Sequence, residues 1–276
     1  MNLQSLLWPN HASVTFFGLE IYWYAIIIVF GMTAAFFVIS LLFRRRNMST
    51  ELFLTFFVIC LPIAIITTRL FYCVTSGMPI KDWFSIQSIR QGGLAITGGI
   101  LGGAASVLGV CYFKKVNFFR AGDCIVVGLL LAQSIGRWGN FVNQEAFGTN
   151  TTLPWGMYSE KTADYLSSIA ADMYFDQGIM INPKEPVHPC FLYESVWCIL
   201  GFLVILAYKN FRKFDGELML FYAAWYGTGR AFIEGIRTDS LMIGPFRVSQ
   251  LVAIGICIAG VALLVLGTIK AKKEAN

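Results

Sequence analysis

Apolar runs of membrane-spanning length alternate with short polar breaks along nearly the whole of this 276-residue chain. A helix crosses the hydrocarbon layer with about 17–25 predominantly apolar residues. The pattern places spans at about 18–43, 52–72, 92–113, 124–142, 191–208, 217–236 and 248–269. It predicts an all-α polytopic membrane protein, one integral membrane domain with seven transmembrane helices. The first apolar segment has no basic residue before it and is long enough to span, so it is expected to stay as a span rather than be a cleaved leader. The longest polar interval, 143–189, holds Pro154, Pro183, Pro186 and Pro189 and the acids Glu160, Asp164, Asp172, Asp176 and Glu185. It reads as an extracytoplasmic head segment between spans four and five, with a short helix near Tyr165 to Phe175. Thr75 to Arg90, with Trp83 and Phe84, reads as an interfacial piece. There is no tandem repeat and no low-complexity tract.

Charge fixes the direction of threading. Arg44, Arg45 and Arg46 stop span one, so the first loop is expected in the cytoplasm and the N-terminus outside. Of 21 Lys and Arg residues, twelve fall in the four segments that this topology makes cytoplasmic, six in outer segments and three, Arg69, Arg137 and Arg230, within spans. The C-terminus, after Lys270, Lys272 and Lys273, is expected inside. With 57% hydrophobic and 13% charged residues, the +5 net charge reflects this loop bias and not nucleic-acid binding. The seven cysteines lie mostly inside apolar runs, and no CxxC or Cys/His cluster points to a metal.

Two places break the apolar pattern with chemistry. Gly136-Arg137-Trp138-Gly139-Asn140-Phe141-Val142-Asn143-Gln144-Glu145-Ala146-Phe147-Gly148 follows the body of span four. An Arg at the centre of a membrane helix costs roughly 2.5–3.5 kcal/mol on insertion scales, so such a residue usually faces a polar cavity or a partner. The plain alternative is a helix end with a snorkelling Arg and a glycine cap. In span six, Tyr226, Arg230, Glu234 and Arg237 lie along one helix face. Either Arg230 and Glu234 only neutralise each other, or they join Arg137 in binding an anion. The planar guanidinium fork suits phosphate, and an anionic phospholipid is the obvious phosphate at that depth. Tyr22, Trp23 and Tyr24 mark the outer end of span one, where an aromatic belt is the ordinary role. His188 precedes Pro189 at the start of span five and is one of two histidines, with His11. Gly98/Gly102 and Gly99/Gly103 form two overlapping GxxxG pairs, for which close helix packing is the expected role.

Taken together these residues resemble the prolipoprotein diacylglyceryl transferases. The likeness is carried by Gly136 to Phe141 with Asn143, Glu145 and Gly148, by the Tyr226 to Arg237 pattern, by His188-Pro189 with Leu192-Tyr193-Glu194, and by Gln91-Gly92-Gly93 to Gly98-Gly99. It covers essentially the whole chain. The resemblance implies transfer of the diacylglyceryl group of phosphatidylglycerol to the lipobox cysteine thiol of a preprolipoprotein, with a thioether formed and glycerol phosphate released. It implies a bacterial cytoplasmic (inner) membrane setting with the active site toward the outer leaflet. It makes Arg137 and Arg230 the essential phosphate-handling arginines. Asn140, Glu145, Gly148, Tyr24, Tyr226, Glu234 and Arg237 become supporting residues, with His188 and Thr97 at the substrate. No metal or organic cofactor is implied. The expected partners are phosphatidylglycerol, lipobox peptides and membrane lipids, and no nucleic acid.

Two positions depart from the family pattern. Thr97-Gly98-Gly99 stands where many members read His-Gly-Gly, and Tyr22 stands where some carry histidine before Trp23. Threonine cannot act as a base near pH 7, so the proton acceptor is left among Glu145, Glu234 and the lipid phosphate. The competing readings are a secondary transporter for an anionic solute, which the absence of an inverted repeat disfavours, and a non-catalytic membrane assembly subunit.

Overall fold

The computed structural model describes residues 13–16, 19–85, 88, 92–238, 240, 242–244 and 246–275. The chain is mostly helical, with two short antiparallel hairpins. In order come β1 (Ser13–Phe16), β2 (Leu19–Tyr22), α1 (Trp23–Arg45), α2 (Thr50–Thr75), a 3-10 turn (Ile80–Asp82), α3 (Ile96–Lys114), α4 (Phe118–Asn143), α5 (Glu160–Gln177), α6 (Cys190–Tyr208), α7 (Glu217–Glu234), β3 (Met242–Ile243), β4 (Phe246–Arg247) and α8 (Val248–Ala275). β1 pairs with β2, and β3 with β4. The expectation of an all-α chain is therefore corrected by these hairpins, whose strands are too short for a period-two pattern to stand out.

Among the described residues six helices, α1, α2, α3, α4, α6 and α8, are long and apolar enough to cross a membrane. This is a multi-pass membrane protein. The seventh expected span is a helix, α7, but its 18 residues include Glu217, Arg230 and Glu234, which take it below the hydropathy of the others.

Several boundaries move for local reasons. The first helix begins at Trp23, not near residue 18, because Leu19–Tyr22 pairs with Ser13–Phe16 and Ser13 Oγ donates to Glu20 Oε1 at 2.6 Å. α3 begins at Ile96 rather than residue 92: Gly92 and Gly93 have φ of +95° and +80°, which no right-handed helix contains. α4 begins at Phe118, ahead of residue 124, because Asn117 Oδ1 accepts from the amides of Phe119 and Arg120. Its Asp123, fully buried, is neutralised by Arg46 at 3.1 Å.

The chain forms two compact units, Met1–Phe37 with Ile125–Asn276, and Val38–Cys124. In the second unit α3 packs along α2. Any Cβ at Gly98 or Gly102 would run into Thr67, and one at Gly99 would come 2.5 Å from Thr68 Oγ1. The small residues thus serve close backbone approach, which matters where lipid removes the hydrophobic drive between helices. Arg69 is buried at the far end of α2. It donates to the carbonyls of Trp83 (2.8 Å), Gly92 (2.7 Å) and Gly93 (2.9 Å) and to Ser88 Oγ, so its intramembrane charge fastens the connection to α3.

In the first unit residues 144–189 are folded, not loose. Phe147, Leu166 and Val187 form a buried cluster with Ile169 and Ile181 against it. Met157 and Phe191 form another with Phe141 and Leu192, which ties the segment to α4 and α6. The helix expected near Tyr165 to Phe175 is α5, longer at both ends and started by Ser159, whose hydroxyl accepts from the Thr162 amide at 3.1 Å.

Candidate functional site

The first unit gathers five ionised side chains from three helices. Glu194, four residues into α6, is the hub. Its carboxylate meets Arg137 from α4, Arg230 from α7 at 2.7 Å and Arg237 just beyond α7 at 3.5 Å. Glu234 takes the other side of Arg230 at 2.6 Å and lies 4.0 Å from Arg237 Nε. Both carboxylates are almost fully buried, at 4% and 2% exposure, whereas the guanidinium groups keep 12–20%. The carboxylates are thus the more deeply buried members and the guanidinium groups the more accessible ones. Three guanidinium groups against two carboxylates leave these five side chains with one surplus positive charge. Arg247 of β4 reaches the same region, donating to the Glu234 carbonyl at 2.6 Å.

Backbone pairing holds the ends of these helices together. After α4 the chain reverses through Gln144 and Ala146, both left-handed at φ +53° and +58°. Neither is glycine, and such strain gathers at functional sites. The reversal folds Glu145 back so that Oε1 accepts from Asn140 Nδ2 at 2.9 Å and Asn143 Nδ2 at 3.3 Å. Residues 148–149 then run between two segments. The Gly148 amide donates to His188 (2.9 Å) and the Thr149 amide to Ile236 (2.9 Å), with Gly148 bridged to Arg237. A Cβ at Gly148 would lie 2.7 Å from the Ile236 carbonyl and 3.0 Å from both Cys190 Sγ and His188 Cβ. Only glycine fits where the exit of α4, the entry of α6 and the exit of α7 meet.

Two polar clasps set the register of α6 next to its glutamate. Ser134 and Ser195 bond reciprocally, each hydroxyl donating to the other's carbonyl (3.0 and 2.9 Å), and Trp138 Nε1 donates to Ser195 Oγ at 3.1 Å. On the opposite side Trp197 and Trp225 stack at 4.6 Å and each indole donates to the other's carbonyl (2.9 and 3.0 Å). Gly229, beside Arg230, leaves the space that Trp197 fills.

The residues singled out from sequence are distributed as follows. Arg137, Arg230, Glu234 and Arg237 come together. Tyr226 lies within electrostatic reach of Arg137, Glu194 and Arg230. Tyr24 lies over Gly139, where a Cβ would come 2.6 Å from its ring, and within reach of Arg137 and Glu145. Glu145 and Asn140 stand beside the ion-pair cluster, not in it. His188 Nδ1 lies 3.1 Å from the Tyr193 hydroxyl, which accepts from Trp155 Nε1 at 2.9 Å. An indole N–H only donates, so the one Tyr193 oxygen accepts from Trp155 and also bonds the imidazole. Burial pushes this imidazole below its ordinary 6.5. Thr97 is exposed near the start of α3, in the other compact unit. His11 and Gln91 lie outside the described residues.

The residue that sequence reasoning left without a role is Glu194. Its signal was present, since it is an acid at the head of an otherwise apolar 19-residue helix. Its partners are 57 and 36 residues away, and no local spacing connects them.

The family model described as prolipoprotein diacylglyceryl transferase matches residues 12–266. The chain belongs to the prolipoprotein diacylglyceryl transferase family. Relatives in this family include the phosphatidylglycerol–prolipoprotein diacylglyceryl transferase of Finegoldia magna, 39% identical over 96% of this chain and 97% of its own length. That of Clostridioides difficile is 35% identical, over 91% and 93%, and that of Streptococcus uberis 39%, over 89% and 90%. The matched region takes in every member of the transferase-family chain's ion-pair cluster.

Proposed function

We propose that this chain transfers the sn-1,2-diacylglyceryl group from phosphatidylglycerol to the lipobox cysteine thiol of a preprolipoprotein. The observation that carries the reading is the five-residue ion cluster, with its single surplus positive charge, at the ends of membrane helices in a chain of this family. A phosphodiester carries negative charge, which this arginine-rich cluster attracts. Arg137 and Arg230 hold that phosphate, supported by Arg237, Tyr24 and Tyr226. Glu194 and Glu234 hold the guanidinium groups in a fixed array, which therefore needs little reorganisation as charge moves to the leaving group.

In the reaction the cysteine sulfur forms a bond to the glycerol sn-3 carbon, and the carbon–oxygen bond to phosphate breaks. Glycerol phosphate leaves with the electron pair. The thiol proton goes to a base. Among the two carboxylates considered, Glu145 is the better placed. It is exposed and held by two amide donors, whereas Glu234 is committed to arginines. Asn140 and Gly148 shape this edge of the site, with His188 beside Gly148 in the 144–189 segment.

The same reading makes α7 a seventh span whose ionised groups pair with one another and with α4 and α6. It puts the N-terminus outside, the C-terminus in the cytoplasm and residues 144–189 on the outer face of the cytoplasmic membrane, where lipobox cysteines emerge. The loop bias of Lys and Arg supports this. The test is mass spectrometry of a lipobox peptide incubated with the purified protein and phosphatidylglycerol. A diacylglyceryl mass increment on cysteine is expected. Phosphatidylglycerol-independent movement of an anion across proteoliposomes, with no increment, would replace the transferase by a transporter.

A further inference from the structure

We propose that Gln133 and Tyr222 form a subsite for the two fatty-acyl ester carbonyls of the lipid donor, one helical turn inward from the arginine cluster. This inference rests on the transferase reading above. Gln133 precedes Arg137 by four residues on α4, and Tyr222 precedes Tyr226 by four on α7, so both lie about 6 Å further from the 144–189 end at 1.5 Å per residue. Gln133 Nε2 and the Tyr222 hydroxyl are 2.9 Å apart. Tyr222 is stacked on Tyr226, with ring centroids 5.7 Å apart and 13° between planes. Gln133 Oε1 is buried and has no hydrogen-bond partner among the described residues. At membrane depth an unmet polar group costs several kcal/mol, so a pair left incompletely bonded here calls for a partner.

Counting donors identifies the partner. With Gln133 Nε2 donating to the phenol, one amide N–H and the Tyr222 O–H remain. With the amide turned by half a turn, Tyr222 donates to Oε1, which removes the orphan acceptor, and both amide N–H groups remain. The first arrangement still leaves Oε1 without a donor, so the turned amide is the one kept; it presents two donors and requires a ligand rich in acceptors. A diacyl glycerophospholipid places two ester carbonyls directly inward of its phosphate. Its head is at the membrane face and its chains point into the bilayer, the direction in which Gln133 and Tyr222 extend from Arg137 and Arg230. The reacting sn-3 carbon would then be held from both sides, by arginines on the phosphate and by donors on the esters.

The test compares phosphatidylglycerol with its dialkyl ether analogue of equal chain length, both presented to the full chain in mixed micelles with a lipobox peptide. The ether keeps phosphate, glycerol and chains and loses only the carbonyls. One net hydrogen bond corresponds to roughly twofold to tenfold, so wild type should show an ether KM at least about tenfold above the ester value. Tyr222→Phe keeps the ring and its stack, and Gln133→Met keeps the volume. Each should shrink the ether-to-ester KM ratio to about threefold, by raising KM for the ester and not for the ether, and the double variant should bring it near one. A wild type that treats the two lipids alike, or variants that keep the wild-type ratio, would overturn the subsite while leaving the transferase intact. The wild-type comparison needs no variant to fold. No thioether from either lipid would remove the transferase reading and the subsite with it.

Discussion

Replacing Glu194 by Gln removes the charge on which three guanidinium groups converge. Arg230 and Arg137 each gain roughly 4 kcal/mol of Coulomb energy from that carboxylate at the effective dielectric of a partly buried site. Burying the carboxylate costs several kcal/mol in return. The difference falls in the range of about 3–5 kcal/mol found when one member of a buried pair is deleted and its partners stay charged. Sterically the change is nearly neutral, so the loss isolates charge. It also raises the surplus among the five groups from one positive charge to two. Glu145→Gln is the control: Glu145 is exposed and bonded only to amides, so less than about 1 kcal/mol is expected. The assay is reversible unfolding by SDS in mixed micelles, with transfer to a lipobox peptide measured in parallel. The decisive comparison is the double variant Glu194→Gln/Arg137→Gln. Its cluster returns to one surplus charge, so it should be more stable than Glu194→Gln alone, with a coupling energy of at least about 1 kcal/mol. Additive losses in the double variant would show that Glu194 and Arg137 do not act through each other, and a Glu194→Gln protein as stable as wild type would refute the hub altogether.

Gly148→Ala should cost about 1–3 kcal/mol by overpacking and lower transfer, since its Cβ would lie 2.7 Å from the Ile236 carbonyl on the chain that carries Arg237; an unchanged melting curve and rate would contradict the three-way junction. His188 has a folded-state pKa below its ordinary 6.5, so the unfolded chain binds the proton more readily and stability falls as pH drops from about 7 through the folded pKa. His188→Gln should flatten that part of the stability profile, and an unchanged slope between pH 7 and 5 would remove the assignment. Thr97→His should be neutral or harmful, because Glu145 takes the proton; general-base catalysis is worth about 10²–10⁴-fold, so a gain above about tenfold in initial rate, absent in Thr97→Ala, would make histidine the base.

The limits of the sequence reading have physical causes. Arg137 and Arg230 were legible because a guanidinium in an apolar run is costly enough to announce itself, and Glu234 because it falls one turn from Arg230. Glu194 was not, because the bonds that define its role join residues of α4, α6 and α7 that have no spacing relation. The same holds at the other end of the chain's polar content. Asp123 weakened the apolar pattern ahead of residue 124 and delayed the expected start of span four, yet Arg46, 77 residues earlier, neutralises it within α4. Hydropathy counts a charge whether or not it is paired, so it misplaces a helix wherever the partner is remote. Register is the deeper case. In lipid no hydrophobic drive slides one helix to its place on another, so close packing and interhelical hydrogen bonds set the register of α6. A shift of one turn would carry Glu194 about 5.4 Å from the arginines. What forbids it is the pair of clasps at residues 195 and 197, each with reciprocal hydrogen bonds to a neighbouring helix. In the sequence those residues are a serine and a tryptophan in an apolar run, types that fit a membrane helix without any partner. The chemistry of the site was therefore readable from its expensive residues, while its geometry rests on inexpensive ones.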